Sequence, residues 1–135
     1  MKRYNFYIPI YDFKAVLLYA ENREDEPIVV RALKQFHCAQ ADIEEIGRNI
    51  REDCFDGAIT LSHKHRHMFV CVFYPINSKE RFIVCRDHEK RHIEDRVAEY
   101  CGVEDFEAIA YLAGFLGSHF NKFEQIIMNS DVPER

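Results

Sequence analysis

The sequence predicts a single α+β domain, in which about four strands and two short helices precede two packed C-terminal helices. Three observations support this prediction. The chain has 135 residues, 47% of them hydrophobic, which suits one compact core. Strand-like alternation and helical spacing follow each other along it, and no linker rich in Pro, Gly or Ser interrupts it. We therefore expect one domain over residues 1–135, with a flexible tail at 129–135.

Two strand-like segments open the chain. Tyr4–Ile10 and Phe13–Ala20 are rich in aromatic and β-branched residues. The short stretch Pro9-Ile10-Tyr11-Asp12 between them suits a turn. A β-hairpin is therefore predicted here.

The period then changes to that of two short helices. Pro27 suits a first helical turn, and Asp42 is expected to be the N-cap of the second helix. Apolar residues recur at helical spacing in both segments. They are Ile28, Val29, Ala32, Leu33 and Phe36 in the first, and Ile43, Ile46 and Ile50 in the second.

Two further strands are predicted at Ala58–His63 and His67–Tyr74, after a turn at Asp56-Gly57. A long helix follows, with Asn77 or Ser78 as its cap and Gly102 as its end. The last helix is expected from near Glu104 to Phe123 or beyond. Its small residues Ala110, Ala113, Gly114 and Gly117 predict close contact with a neighbouring helix.

Composition excludes several classes of partner. The net charge is -5 with cations scattered among acids, so nucleic-acid binding is not expected. No apolar run approaches the roughly 20 residues that cross a bilayer, and no export signal is visible, so no membrane is expected either. The five cysteines lack short paired spacing, which favours reduced thiols in the cytoplasm.

The strongest chemical pattern is His88-Glu89-Lys90-Arg91-His92, within the first of the C-terminal helices. Histidines at i and i+4 project from one helix face, and their imidazole nitrogens can bind one Zn²⁺. A glutamate beside them can take a proton from a zinc-bound water. The pattern therefore predicts two metal ligands, His88 and His92, and a general base, Glu89.

The segment from Asp87 to Leu116 resembles the zincin metallopeptidases, and in particular their gluzincin branch. His88, Glu89 and His92 match the HExxH motif residue for residue. The run Glu104–Ala113 is similar to the second helix of small ImmA/IrrE-like peptidases. The resemblance covers about thirty residues. It implies a zincin-like fold, Glu107 as the third zinc ligand, and peptide-bond hydrolysis of a peptide or protein substrate.

Helix geometry leaves the third ligand open. Glu107 fits if the two C-terminal helices cross at a marked angle. A strictly antiparallel pair would instead bring residues near 112 to 119 level with the histidines, which makes His119 the reserve candidate. Neither the substrate nor the oligomeric state can be named from the sequence.

Three other interpretations of the motif remain open. The stretch 86–96 can be a solvated helix surface held by local ion pairs. The chain can also be a zincin-like protein-binding module without efficient catalysis, which the charges of Lys90 and Arg91 inside the motif favour. Finally, Cys85 can join the histidines in a structural zinc site, if Cys101 or His119 completes it.

A second histidine group is formed by His63, His65 and His67. Their alternation on a strand or its connecting turn places all three on one side. A solvent-exposed turn is the preferred interpretation, and lining a substrate groove is the alternative.

Overall fold

The computed structural model describes residues 1–130 and contains one four-stranded sheet with helices on both faces. The strands are β1 (Lys2–Ile8), β2 (Phe13–Tyr19), β3 (Ala58–His63) and β4 (Met68–Phe73). The helices are α1 (Glu26–Gln35), α2 (Gln40–Arg51), α3 (Lys79–Cys101) and α4 (Phe106–Ser130). The predicted α+β class is confirmed.

The sheet is mixed, with the strand order β1-β2-β4-β3. β1 and β2 form the predicted antiparallel hairpin, with Phe6 opposite Ala15. β2 then pairs in parallel with β4, so that Val16 lies beside Val70. β3 pairs antiparallel with β4 and forms the sheet edge opposite β1.

Both faces of the sheet are covered. Ala15 and Leu17 face α3 and α4, whereas Val16 and Leu18 face α1 and α2. Strands buried on both sides lack polar alternation. This explains the continuous apolar runs in β2 and β4, whose residues from Phe69 to Phe73 are all buried.

The long helix α3 begins and ends where the sequence predicts. The Ser78 hydroxyl oxygen accepts from the Arg81 N–H across 3.3 Å. Gly102 ends the helix in the left-handed conformation, at φ 65°. The turn before β3 also contacts α3, because the Cys85 thiol donates to the Asp56 carbonyl across 2.8 Å.

The second helix differs from the prediction at its start. α2 begins at Gln40, and its N-cap is Ala39, in an extended conformation without a side-chain cap. The Ile43 N–H already donates to the Ala39 carbonyl, so Asp42 lies within the first turn. There its charge suits the positive end of the helix dipole.

The helices α3 and α4 pack against each other in antiparallel directions. Lys90 Nζ donates to the Ala113 carbonyl across 3.4 Å, and Arg86 donates to Asn121 and to Glu124. The predicted close contact of small residues in α4 is wrong, because a Cβ added at Gly114 or Gly117 would meet nothing within 4 Å. Larger side chains fill this interface, among them Leu112, Leu116, Phe120 and Phe123.

Two further predictions concern the chain as a whole. Among the described residues no helix is long and apolar enough to span a membrane. The predicted flexible tail starts at Asn129, which belongs to α4 together with Ser130. The remainder, residues 131–135, lies outside the described residues.

Candidate functional site

His88 and His92 lie one turn apart on α3, and their side chains converge. Their Nε2 atoms are 3.0 Å apart, and both side chains are exposed. One ligand atom each from His88, Glu89 and His92 lies within 4.8 Å of the others. Within the described part of the chain, no other group of three His, Cys, Asp or Glu residues converges in this way. The motif thus forms a compact set of metal-binding atoms.

Glu89 is buried between α3 and the sheet, with a relative exposure of 3%. Its Oε1 accepts from the Thr60 hydroxyl, on β3, across 2.9 Å. Oε2 makes no hydrogen bond with any residue that the structure describes, and Glu89 lines an open groove. One carboxylate oxygen is therefore fixed and the other is free to accept a proton.

Cys71 supports this contact from β4. Burial raises the pKa of the Cys71 thiol to about 12, so the thiol stays protonated. Its sulfur lies 3.3 Å from the Thr60 hydroxyl oxygen. Because the Thr60 proton is donated to Glu89, the thiol is the donor to Thr60. A chain of donors thus runs from the buried sheet to the carboxylate.

The two charged residues inside the motif point away from the histidines. Lys90 Nζ lies 2.5 Å from the Glu94 carboxylate and contacts α4. Arg91 pairs with Asp95 across 3.0 Å and is mostly exposed. Lys90 and Arg91 therefore both form ion pairs with acids of the same helix. Neither cation lies on the side of α3 that carries His88, Glu89 and His92.

A groove of about 680 Å³ runs along the outer edge of β3, between the two helical layers. All of β3, from Ala58 to His63, lines it. The residues from α3 are His88, Glu89, His92, Arg96 and Tyr100. The residues from the opposite layer are His37, Ala39 and Asp42. The histidine pair therefore opens onto an elongated depression beside a strand edge.

His63 lies at the far end of the edge strand, and its ring nitrogen Nε2 is 3.5 Å from the Cys38 sulfur. Burial lowers the His63 pKa, Arg66 and His37 lower it further, and Asp42 opposes them. Burial, with a smaller contribution from Asp42, raises the Cys38 pKa to about 11. Both groups are therefore neutral near pH 7, and Cys38 is a buried thiol rather than a nucleophile.

The other two histidines of this group do not share the groove. His65 is exposed in a single turn of 3-10 helix, and His67 Nδ1 donates to the Asp12 carbonyl across 2.9 Å. The His67 ring also stacks on Phe13. The prediction that all three face one way is wrong, because the strand ends at His63 and the chain turns there. The exposed turn is confirmed, and His63 alone lines the groove.

The structure does not bring Glu107 or His119 together with the histidine pair. Glu107 is exposed in the first turn of α4, beyond the end of α3 at Cys101, which lies roughly 13 Å along the axis from His92. His119 Nδ1 and the Tyr4 hydroxyl share a hydrogen bond of 2.7 Å, over β1. Since β1 and β3 are opposite edges, roughly 14 Å of sheet separates them. The ligand roles of Glu107 and His119 stay predictions.

The predicted structural zinc site with Cys85 as a ligand finds no further cysteine ligand near it. The Cys85 thiol is engaged with the Asp56 carbonyl, and Cys101 is exposed at the end of α3. Neither belongs to the converging group of His88, Glu89 and His92. Within the described chain, the structural site with cysteine ligands is therefore not assembled.

Comparison with known proteins identifies no relative: no family model, no curated protein and no solved structure matches the chain. The functional interpretation consequently depends on the geometry of the site itself.

Proposed function

We propose that this protein is a zinc-dependent peptidase that hydrolyses peptide bonds within the groove along β3. His88 and His92 would hold the metal, and Glu89 would act as general base. The observation that carries the proposal is the convergence of these three side chains on one open groove. Two imidazole ligands, one carboxylate base and an elongated depression are four of the parts that a metallopeptidase uses, and a third protein ligand is the part still to be identified.

The donor set fits zinc. In a tetrahedral site with nitrogen ligands at about 2.1 Å, the ligand atoms are roughly 3.4 Å apart. The two Nε2 atoms at 3.0 Å approach this separation, so a small rotation of either ring suffices. Zinc, when bound, supplies Lewis acidity and lowers the pKa of a bound water. The third ligand stays a prediction, with Glu107 first and His119 in reserve, and both residues lie away from the histidine pair in this arrangement.

Glu89 is suited to proton transfer rather than to general packing. Its Oε1 is held by Thr60, and this contact orients the carboxylate. The other oxygen can accept a proton from a water in the groove and later deliver it to the leaving amine. A neutral residue in the same place would keep the fold but lose this step.

The strand edge suggests how a substrate binds. β3 is an edge strand, and its outer backbone groups face the groove. An extended peptide can add to such an edge through main-chain hydrogen bonds. Its scissile carbonyl would then pass beside His88 and His92. This arrangement favours peptides and protein segments in extended conformation as substrates.

Two experiments test the proposal. Elemental analysis of untagged protein should find about one zinc per chain, and His88→Ala should lose it while staying folded. His65→Ala is the matched control, because His65 is exposed and lies outside the groove. In a screen of mixed peptides analysed by mass spectrometry, Glu89→Gln should bind zinc without cleaving. Cleavage by Glu89→Gln would overturn the assigned base.

A second candidate is a protein-binding module that does not catalyse. One observation favours it: all three side chains of the converging group come from α3, so no other helix of the described chain supplies a third metal ligand to the group. Such a module would use the same strand edge and groove. It is distinguished from a peptidase by peptide binding in both the wild type and Glu89→Gln, with no cleavage by either.

We further propose that the protein works in the cytoplasm. All five cysteines are free thiols, and the two most buried ones have raised pKa values that suppress oxidation. Such thiols suit a reducing compartment.

A further inference from the structure

One end of the groove, beyond His92, carries a group of positively charged side chains. β3 and α3 run side by side in the same direction, since Cys85 contacts Asp56 and Glu89 contacts Thr60. The end beyond His92 is therefore built from the last residues of both elements. Arg96 and Tyr100 line it on the side of α3.

The turn after β3 adds two more cations to this end. Lys64 Nζ lies 5.4 Å from the centre of the Tyr100 ring, a cation–π contact that places the amine beside the groove. Arg66 lies in the same single turn, three residues after His63, which lines this end of the groove. Both Lys64 and Arg66 are exposed, and neither forms an ion pair with a residue that the structure describes.

The acidic groups nearby do not cancel this charge. Glu99 pairs with Arg96 across 2.9 Å, but both side chains are about half exposed, so an incoming carboxylate can replace Glu99 at little cost. Asp42 lines the opposite side of the groove, from the first turn of α2. Arg96 thus lines this end with Lys64 and Arg66 beside it, and the one acid opposite them, Asp42, has no arginine or lysine partner among the described residues.

We propose that this end of the groove is a subsite for a carboxylate of the bound peptide. The preferred peptides would carry Asp or Glu on the side beyond His92, or would end there in a free C-terminal carboxylate. The inference rests on the proposed function, because it assumes that a peptide occupies the groove. The net charge of -5 repels anions globally, so a preference for acidic peptides would have to arise locally.

Binding can be measured separately from cleavage. The probes are labelled, amidated peptides of about ten residues, with three Glu or three Lys at either end of one uncharged background. Their dissociation constants are measured by fluorescence anisotropy with zinc-loaded Glu89→Gln, in about 50 mM salt. One further peptide has a free carboxylate in place of the amide, which separates a C-terminal carboxylate from an acidic side chain.

We expect one acidic peptide to bind about five- to tenfold more tightly than its lysine counterpart. Adding Lys64→Gln and Arg66→Gln should reduce this ratio to less than about twofold. The matched control is Arg31→Gln with Lys122→Gln, which removes the same charge from exposed positions outside the groove and should leave the ratio unchanged.

Several results would overturn the subsite. These are equal affinity for acidic and basic peptides, no measurable binding of any peptide, and an acidic preference that survives in the Lys64/Arg66 variant. Tighter binding of a short single-stranded DNA of equal charge would also overturn it, in favour of nucleic acid. Charge-selective binding without cleavage by the wild type would uphold the subsite and overturn the peptidase. Cleavage by the wild type without charge-selective binding would uphold the peptidase and overturn the subsite.

Discussion

The Thr60 hydroxyl donates to Glu89 Oε1 across 2.9 Å, and this contact joins the edge strand β3 to the helix α3. Thr60→Val should lower the free energy of unfolding by about 1–3 kcal/mol, because a buried carboxylate loses its donor. Urea unfolding measures the change. Thr60→Ser keeps the hydroxyl and should lose less. A Thr60→Val protein as stable as the wild type would contradict the importance of this contact.

Zinc should stabilise the fold, because the side chains of His88 and His92 are held together only in the folded helix. At a free zinc concentration of about 100 times its Kd, the gain should be about 2.7 kcal/mol. Thermal unfolding with and without a chelator measures it. His92→Ala should abolish the gain, and Glu107→Ala tests the proposed third ligand. Equal stabilisation of the wild type and His92→Ala would place the metal elsewhere.

The strands and helices follow from local pattern, whereas the site depends on contacts between distant segments. Alternation predicted β1 and β2, and the Ser78 and Gly102 signals predicted the bounds of α3. The HExxH spacing likewise predicted the convergence of the two histidines. Such features depend on residues that are close in the chain.

The other parts of the site have no local signature. Thr60 meets Glu89 because β3 occupies the sheet edge beside α3. This place of β3 in the strand order depends on the parallel pairing of β2 with β4. The position of Glu107 depends on the angle between two helices, which side-chain packing sets and periodicity does not. The contact of Lys90 with the Ala113 carbonyl shows that the two helices pack antiparallel, which leaves Glu107 beyond the histidines.

His119 should contribute a pH dependence to stability. Burial, reinforced by Lys122, lowers the pKa of His119, while burial raises the pKa of Tyr4, whose hydroxyl is hydrogen-bonded to His119. The folded chain therefore binds this proton more weakly than the unfolded chain does. The contribution is complete above the unfolded pKa of about 6.5 and is lost as the pH falls through it towards the lower folded pKa.

The measurement is urea unfolding at about pH 7.5 and about pH 5.5, which bracket the ordinary histidine pKa. His119→Gln should lose less stability between these values than the wild type does. His63 also has a lowered pKa and is present in both proteins, so its contribution cancels in the comparison. An identical loss in both proteins would exclude His119 as a source.

The ion pair between Lys90 and Glu94 should stabilise the contact between α3 and α4. Glu94 is buried, and Lys90 also donates to the Ala113 carbonyl. Glu94→Ala leaves a half-buried ammonium without its partner and should cost about 1–3 kcal/mol, less than a fully buried pair. The exposed Arg96–Glu99 pair is the control, and Glu99→Ala should change stability by less than about 1 kcal/mol. Equal effects would contradict the difference in burial.

Two glycines separate backbone conformation from packing, since an added Cβ would meet nothing within 4 Å at either Gly102 or Gly114. Gly102 has φ 65°, so Gly102→Ala should destabilise by about 1–2 kcal/mol. Gly114 lies within α4, so Gly114→Ala should stabilise by about 0.5–1 kcal/mol. Chemical unfolding measures both. Changes of the same sign would contradict the conformational explanation.

The parallel pairing of β2 with β4 also sets the order in which the molecule can assemble. Val16 and Val70 are more than 50 positions apart, so the centre of the sheet forms only after a long loop closes. α3 follows β4 in the chain, and Glu89 needs β3 in place before it meets Thr60. During synthesis the sheet can therefore close before the motif helix docks. We expect metal binding to be a late event in folding. It would stabilise only those chains whose central strands have already paired.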